Sequence, residues 1–242
     1  MEFPKTLIKR NGYIERIKPF MRKNIAKVLT GQRRVGKSFL LYQLMDQLLV
    51  EEPDANIIYI NFEDFAFSHI QTAEDMHAYI MSKFRKEKYN YIFVDEIQEI
   101  VNFERVIRSL LLNENNDIYI TGSNAKMLSG ELATYLSGRY IEFSVYSLSY
   151  LEFLAFHKLE NNNESLYLYS RYGGLPYLIN LPLKDETVNE YLKSVYSTIV
   201  FRDVVSRYNL RNSSFLEKLV QFLSENIGNL FSAKNISDYL KS

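Results

Sequence analysis

No cysteine occurs among the 242 residues. That excludes disulfides, thiolate metal sites and cysteine nucleophiles, and a reducing cytoplasm is the expected compartment. Tryptophan is missing too, so 19 tyrosines and 16 phenylalanines carry the aromatic content of a chain that is 47% apolar. Such a composition belongs to packed globular proteins, not to disordered ones. No stretch approaches the roughly eighteen continuous apolar residues of a membrane span, so a soluble chain with no membrane partner is expected. An excess of one charge sign is also absent: Lys plus Arg and Asp plus Glu number 29 each. Net charge therefore gives no argument for a nucleic-acid or membrane partner. The three histidines, His69, His77 and His157, lack ligand spacing and read as surface or core imidazoles.

The charge balance is uneven along the chain. Residues 1–37 hold eleven Lys or Arg against only Glu2 and Glu15. This segment lacks the apolar region of a secretion signal, and it reads as solvated helix faces with a phosphate-facing edge.

From residue 25 to 146, short apolar runs alternate with longer helical patterns, the sign of βαβ units and a parallel sheet. Five strands are expected, at 25–30, 57–61, 91–94, 117–121 and 140–145. All but the last are nearly continuous Ile, Val, Tyr and Phe, as strands covered on both faces should be. Helices are expected at 38–50, at 72–87 behind a Thr72/Asp75 capping pair, and at 103–113 with Asn102 as N-cap. After Val145 the pattern turns all-helical, with breaks at Asn161-Asn162-Asn163, Gly173-Gly174-Leu175-Pro176, Leu181-Pro182 and Asn212-Ser213-Ser214. A boundary near residue 147 follows.

Between the first strand and the first long helix lies GQRRVGKS, residues 31–38. Gly31-x-x-x-x-Gly36-Lys37-Ser38 is the phosphate-binding loop pattern, here with a strand before it and a helix after. Each residue type has a chemical reason. Glycines permit the backbone angles that turn successive N–H groups inward, and the helix opening near Lys37 aims its positive end at the same place. Lys37 would reach the β- and γ-phosphates as a point charge, and the Ser38 hydroxyl would coordinate Mg²⁺. Gly31, Arg34, Val35, Gly36, Lys37, Ser38 and Phe39 form the candidate nucleotide-binding stretch.

Tyr91-Ile92-Phe93-Val94-Asp95-Glu96 is a buried-type strand ending in two carboxylates, at the sheet edge where open α/β folds bind ligands. Asp95 would hold Mg²⁺, directly or through water, and Glu96 would orient and deprotonate the attacking water. A strand simply running out into solvent is the plainer alternative for that pair. The strand at 117–121 leads into Gly122-Ser123-Asn124, whose small polar side chains suit either a γ-phosphate contact or a helix N-cap.

The series GQRRVGKS, NIIYINFED, YIFVDEIQE, IYITGSNAKML, LSGRYIEF and YGGLPYLI resembles the AAA+ ATPases of bacteria and archaea. More specifically it looks like the subgroup whose ATPase module is followed by a winged helix and a nuclease-like C-terminal domain. The resemblance covers nearly the whole chain. It implies an α/β P-loop NTPase with a five-stranded parallel sheet in the order 5-1-4-3-2, an all-α C-terminal lid and a partial winged helix. The ATPase core is then 1–147, the lid 148–212, and the start of the winged helix 213–242.

By the same resemblance, Lys37 and Ser38 belong to Walker A, Asp95 and Glu96 to Walker B, and Asn124, with Ser123 beside it, to sensor 1. Arg139 takes the place of an arginine finger acting on a neighbour's γ-phosphate. A solvated arginine at a helix C-terminus is the competing explanation. The turn Gly174-Leu175-Pro176 is followed by Tyr177, where many relatives carry a nucleotide-sensing arginine. Residues 215–227 and 232–240 read as the first two helices of a winged-helix unit, and the chain stops before a recognition helix, as a piece of a longer protein would.

The expected function is Mg²⁺-dependent ATP binding and hydrolysis that moves the lid or a homo-oligomer. The resemblance favours ATP over GTP, since no Asn-Lys-x-Asp tetrapeptide occurs. The alternative is an ATP-gated module with negligible turnover that acts on DNA or a protein partner through the C-terminal region. A small-molecule kinase would need an acceptor pocket, whereas the placement of Glu96 suits water activation.

Overall fold

The computed structural model describes residues 4, 7–122, 136, 138–199 and 213–241. Two compact units divide between Leu183 and Lys184. The expected lid, 148–212, spans that division.

The first unit is built on a parallel sheet of five strands: β1 (Ala26–Thr30), β2 (Asn56–Asn61), β3 (Asn90–Asp95), β4 (Asn116–Gly122) and β5 (Tyr140–Ser144), in the order β2-β3-β4-β1-β5. Every pair is parallel, with Lys27 opposite both Tyr119 and Ile141. The AAA+ strand order expected from the resemblance is therefore present. The first strand is interior because the chain crosses from it to β2 at the far edge, returns through β3 and β4 to lie beside it, and covers its other side last with β5.

The central strands β1, β3 and β4 are buried along their whole length, which is why they read as nearly continuous apolar runs. Strand β2 departs from the expectation of coverage on both faces. As an edge strand it alternates buried and half-buried positions.

Side chains alternate across a strand, so each face has its own core. On one face Val28, Ile60, Ile92, Val94, Ile118 and Ile120 pack with residues of α3 (Ala73–Ser82) and α4 (Phe103–Leu110). On the other, Leu29, Tyr91, Phe93, Tyr119 and Phe143 pack with α1 (Asn11–Ile17) and α2 (Lys37–Glu51). Phe93 and Tyr119 stack there with ring centroids 4.5 Å apart.

Two helices end earlier than their periodicity implies. The Thr72/Asp75 capping box opens α3 as expected, but the helix stops at Ser82 rather than continuing to 87. The cause lies at the start of β2 and β3. Asn56 Nδ2 donates to the Lys83 carbonyl, and the Asn90 side chain accepts from Arg85 N–H while donating to the carbonyls of Arg85 and Lys88. Those bonds satisfy a turn in place of another helical turn. Helix α4 ends at Leu110, and Asn102 does not cap it: its backbone is left-handed at φ 61°, and its side chain makes no cap hydrogen bond. Asparagine is chosen for a tolerated left-handed backbone there, not for its acceptor.

Lys27 and Asp117, both fully buried, form an ion pair at the N-terminal ends of β1 and β4, on the edge opposite the loop. Asp117 also accepts from Arg22 N–H at 2.7 Å and from the Tyr119 hydroxyl at 2.8 Å. Lys27 also donates to the carbonyls of Lys23 and Ile25, and burial lowers its pKa against the pull of Asp117. The basic N-terminal segment is thus not all solvated surface. Asp117→Leu would strand an ammonium, an amide and a phenol together, and we expect it to cost about 3–5 kcal/mol. Denaturant melts check this; a loss below about 1 kcal/mol, the value of a surface pair, would contradict it.

Beyond β5, α5 (Tyr150–His157) and α6 (Asn163–Tyr172) close on a small core of Leu148, Phe153 and Phe156. The second unit contains α7 (Asp185–Thr198), α8 (Ser213–Glu225) and α9 (Ala233–Lys241). Within it, Phe222 packs against Phe231 and Tyr239. No helix among the described residues is long and apolar enough to cross a membrane.

Candidate functional site

The loop between β1 and α2 owes its path to positions where side chains are excluded or costly. Gly31 has φ 149°, and a Cβ there would lie 2.2 Å from the Val145 carbonyl oxygen, so nothing larger fits. Gly36, at φ 94°, is the left-handed residue from which α2 starts. Arg34 adopts φ 66° without being glycine, a conformation that costs energy and concentrates at functional sites. Val35 is buried, anchoring the loop in the core beside Leu40 and Leu41.

Lys37 and Ser38 are the first two residues of α2. The Lys37 ammonium is 4% exposed as a residue, donates to the carbonyls of Gly31 at 3.0 Å and Gln32 at 3.1 Å, and stands 3.7 Å from Glu96 Oε1. Burial lowers its pKa, opposed by the charges of Glu96 and Asp95 and reinforced by Arg33. Arg33 itself pairs with Glu63 at 3.3 Å.

Facing the loop, Asp95 ends β3 and accepts hydrogen bonds from the hydroxyls of Ser38 and Thr121. The loop serine and the strand carboxylate therefore meet. Burial raises the Asp95 pKa, and the two hydroxyls and Lys37 only partly oppose it. Glu96 follows with a left-handed backbone at φ 54°. Its N–H donates to Thr121 Oγ1 at 3.0 Å, and its carboxylate accepts from Gln98 Nε2.

Thr121 thus ties Asp95 and Glu96 together from the end of β4, a role that sequence reasoning did not assign. The only signal available was a hydroxyl at the C-terminal end of the neighbouring strand. Gln98 was likewise missed.

Not every candidate converges on this point. Phe39 is 47% exposed, with its ring edge-on to Tyr42, so only its main chain belongs to the loop. Ser123 and Asn124 lie outside the described residues. Arg139 immediately precedes β5: its carbonyl accepts from Ala26 N–H, and its guanidinium donates to the Leu111 carbonyl at 3.5 Å. That end of the sheet is opposite the loop, about 13 Å away along β1 at roughly 3.3 Å per residue.

Gly174-Leu175-Pro176 approaches the loop within the first unit. Leu148 N–H donates to the Gly174 carbonyl at 2.7 Å, and a Cβ on Gly174 would lie 2.2 Å from Leu148 O. The Pro176 ring lies 3.8 Å from where a Gly36 Cβ would be. Tyr177 beside it is half exposed.

A glycine-bounded loop closing onto a buried Asp-Glu pair at the C-terminal edge of a parallel sheet defines a nucleotide-binding protein of the P-loop class. Residues 23–154 match the family model described as the AAA domain. The chain belongs to that family, and with it to the AAA+ ATPase superfamily.

A protein of Haemophilus influenzae is 36% identical over 245 residues, covering 98% of this chain and 60% of its own length. A protein of Methanocaldococcus jannaschii is 31% identical over 233 residues, covering 90% and 50%. The chain thus spans about half to three fifths of these curated relatives. Among solved structures, that of the Aeropyrum pernix ORC1 protein in complex with DNA is similar with TM-score 0.47 at 12% identity, over 98% of this chain and 78% of that one.

Proposed function

We propose that the chain binds ATP with Mg²⁺ and hydrolyses it, with Lys37 and the loop amides holding the phosphates and Glu96 acting on the attacking water. The observation that carries this reading is the meeting of Ser38 and Asp95 beneath the loop, with Lys37 between the loop carbonyls and Glu96. A hydroxyl and a carboxylate are hard oxygen donors, a set suited to Mg²⁺, which keeps several waters and takes the rest of its shell from substrate phosphates. The ion would screen charge on the β- and γ-phosphates.

What the chain's own residues do follows from their surroundings. Burial lowers the Lys37 pKa, and phosphate oxygens coming near would favour its charged form, because they offset that burial. Thr121 fixes the backbone of Glu96 and the carboxylate of Asp95 together, so the base and the metal ligand keep one relative placement. Glu96, held between Gln98 and Lys37, would be the base that takes a proton from the attacking water. The helical segment from Leu148 to Pro176 approaches the loop at Pro176, beside Gly36, which supports its acting as the start of a lid.

Arg139 is exposed on the edge away from its own loop, so its use on a γ-phosphate would require a second copy of the chain. This favours a homo-oligomer as the active form. A DNA or protein partner engaged through the C-terminal region remains part of the proposal.

Burial sets a pH dependence. The folded Asp95 pKa lies above the unfolded one, so the native state holds a proton that the unfolded chain releases, and Asp95 contributes less stability as pH rises between the two values. The same proton competes with Mg²⁺. We expect the Mg²⁺ concentration needed for half-maximal ATP binding to rise as the pH falls toward the raised Asp95 pKa, beyond what protonation of ATP itself causes, and Asp95→Asn to remove that excess. The same pH dependence in the wild type and in Asp95→Asn would contradict it.

A further inference from the structure

The basic N-terminal segment contributes one side chain whose surroundings are unlike those of a solvated arginine. Arg10 is 5% exposed. Its Nε and Nη2 take the Glu152 carboxylate at 2.7 and 3.0 Å. Its Nη1 donates to the carbonyl of Tyr146 at 3.0 Å and to that of Val35, inside the phosphate loop, at 3.1 Å. The guanidinium also lies 4.6 Å from the Tyr13 ring centroid, and the Tyr13 hydroxyl accepts from Tyr146 N–H at 3.0 Å.

The backbone that carries Arg10 is itself held. Gln43, 4% exposed on α2, accepts from Arg10 N–H at 3.0 Å and donates to the Ile8 carbonyl at 2.7 Å. One amide side chain thereby fastens residues 8–10 along the helix that begins with Lys37 and Ser38. The arginine is placed before any ligand arrives.

The contact with Val35 matters because of peptide geometry. No cis peptide occurs among the described residues, and in a trans peptide the C=O and the following N–H point in opposite directions. Fixing the Val35 carbonyl therefore fixes the direction of the Gly36 N–H, the amide at the left-handed residue from which α2 starts. Gly36, at φ 94°, is a glycine with little intrinsic backbone preference, so a hydrogen bond to the preceding carbonyl decides how the Val35–Gly36 peptide is oriented.

We propose that Arg10 is a positioning residue of the phosphate site, holding the Val35–Gly36 peptide so that the Gly36 amide is preset for an anion. Through Glu152 it ties that peptide to the first turn of α5. Glu152 closes the capping box of α5 with Ser149, so one carboxylate serves both the helix start and the arginine. A lysine could not replace it, since a single ammonium cannot span the Glu152 carboxylate and the Val35 carbonyl as a planar fork does. This inference rests on the nucleotide reading given above.

The test uses the full chain with nitrogen-15 labelling, comparing wild type, Arg10→Lys and, as a control on the same segment, Arg16→Lys. In nucleotide-free protein, Arg10→Lys is expected to shift the Gly36 amide resonance and speed its exchange, and to weaken ATP binding about tenfold, as the loss of a charge-assisted hydrogen bond implies. Arg16→Lys should change neither. A purely structural role would lower the melting temperature and leave the Gly36 amide and the ATP affinity in place; that result overturns the proposal and spares the nucleotide reading. Should Arg10→Lys fail to fold, the wild-type Arg10 side-chain N–H resonances decide: they shift on addition of ATP if the proposal holds, and stay put if it does not. A folded wild type that takes up no ATP defeats both readings.

Discussion

Glu96→Gln is expected to lower phosphate release by roughly 10²–10⁴-fold while leaving ATP binding near the wild-type level, the range that loss of a positioned general base gives. The substitution keeps the size of the side chain and both of its reaching atoms. It removes the negative charge that draws a proton from water, and the amide's N–H₂ end cannot accept. Lys37 and Gln98 contact different oxygens of the carboxylate, so the amide can turn its oxygen to Lys37 and its N–H₂ to a flipped Gln98 amide, and the fold should hold. Removing the carboxylate also removes one of the charges that oppose the lowering of the Lys37 pKa. Coupled phosphate-release and nucleotide-binding measurements on the same preparation check the split. Turnover equal to wild type would remove Glu96 from the reaction, and equally low turnover in both proteins would favour a nucleotide-gated module over a hydrolase.

A second large effect is expected at Arg139. If its guanidinium reaches the γ-phosphate of a neighbouring copy, Arg139→Ala should lower turnover by about 10³-fold, the lower end of what an arginine finger contributes. Binding of ATP by the single chain should persist. Since the residue stands just before β5 on the edge opposite its own loop, the wild-type rate per chain must then rise with protein concentration. Size-exclusion chromatography with and without ATP and Mg²⁺, run beside the rate measurements, separates the two explanations for this arginine. Rates independent of concentration, with Arg139→Ala unchanged, would leave it as a solvated residue that donates to the Leu111 carbonyl.

Why some of this was readable in the sequence and some was not follows from where the information resides. The loop and the Asp95-Glu96 pair were legible because their chemistry is local: glycines at 31 and 36 and a lysine at 37 have meaning at fixed spacing. The central strands were legible because burial on both faces leaves no polar alternation. Strand order is not a local property, and here it came from resemblance to a family.

Arg10 was hidden for the opposite reason. Its partners lie as far as 142 residues away and three of them are backbone carbonyls, which leave no trace in residue identity. Within a run of eleven basic residues it looked like the others. The early end of α3 was hidden in the same way, because the side chains that stop it, Asn56 and Asn90, stand at the start of strands. Asn102 shows the converse error. Its residue type fits an N-cap and equally a left-handed turn, and only the backbone angle distinguishes them. Lys27 and Asp117 alternate correctly for neither a buried nor an exposed strand, and their mutual pairing across β1 and β4 is what admits two charges to the interior.

The central claim is that the loop from Gly31 to Ser38, facing Asp95 and Glu96, is a triphosphate site. Isothermal titration of the folded wild type and Lys37→Ala with ATP and Mg²⁺ tests it most directly. The account predicts saturable one-site heat in the wild type that is lost in Lys37→Ala while both proteins melt cooperatively. Heat of equal size in both proteins, or none in the folded wild type, would contradict it.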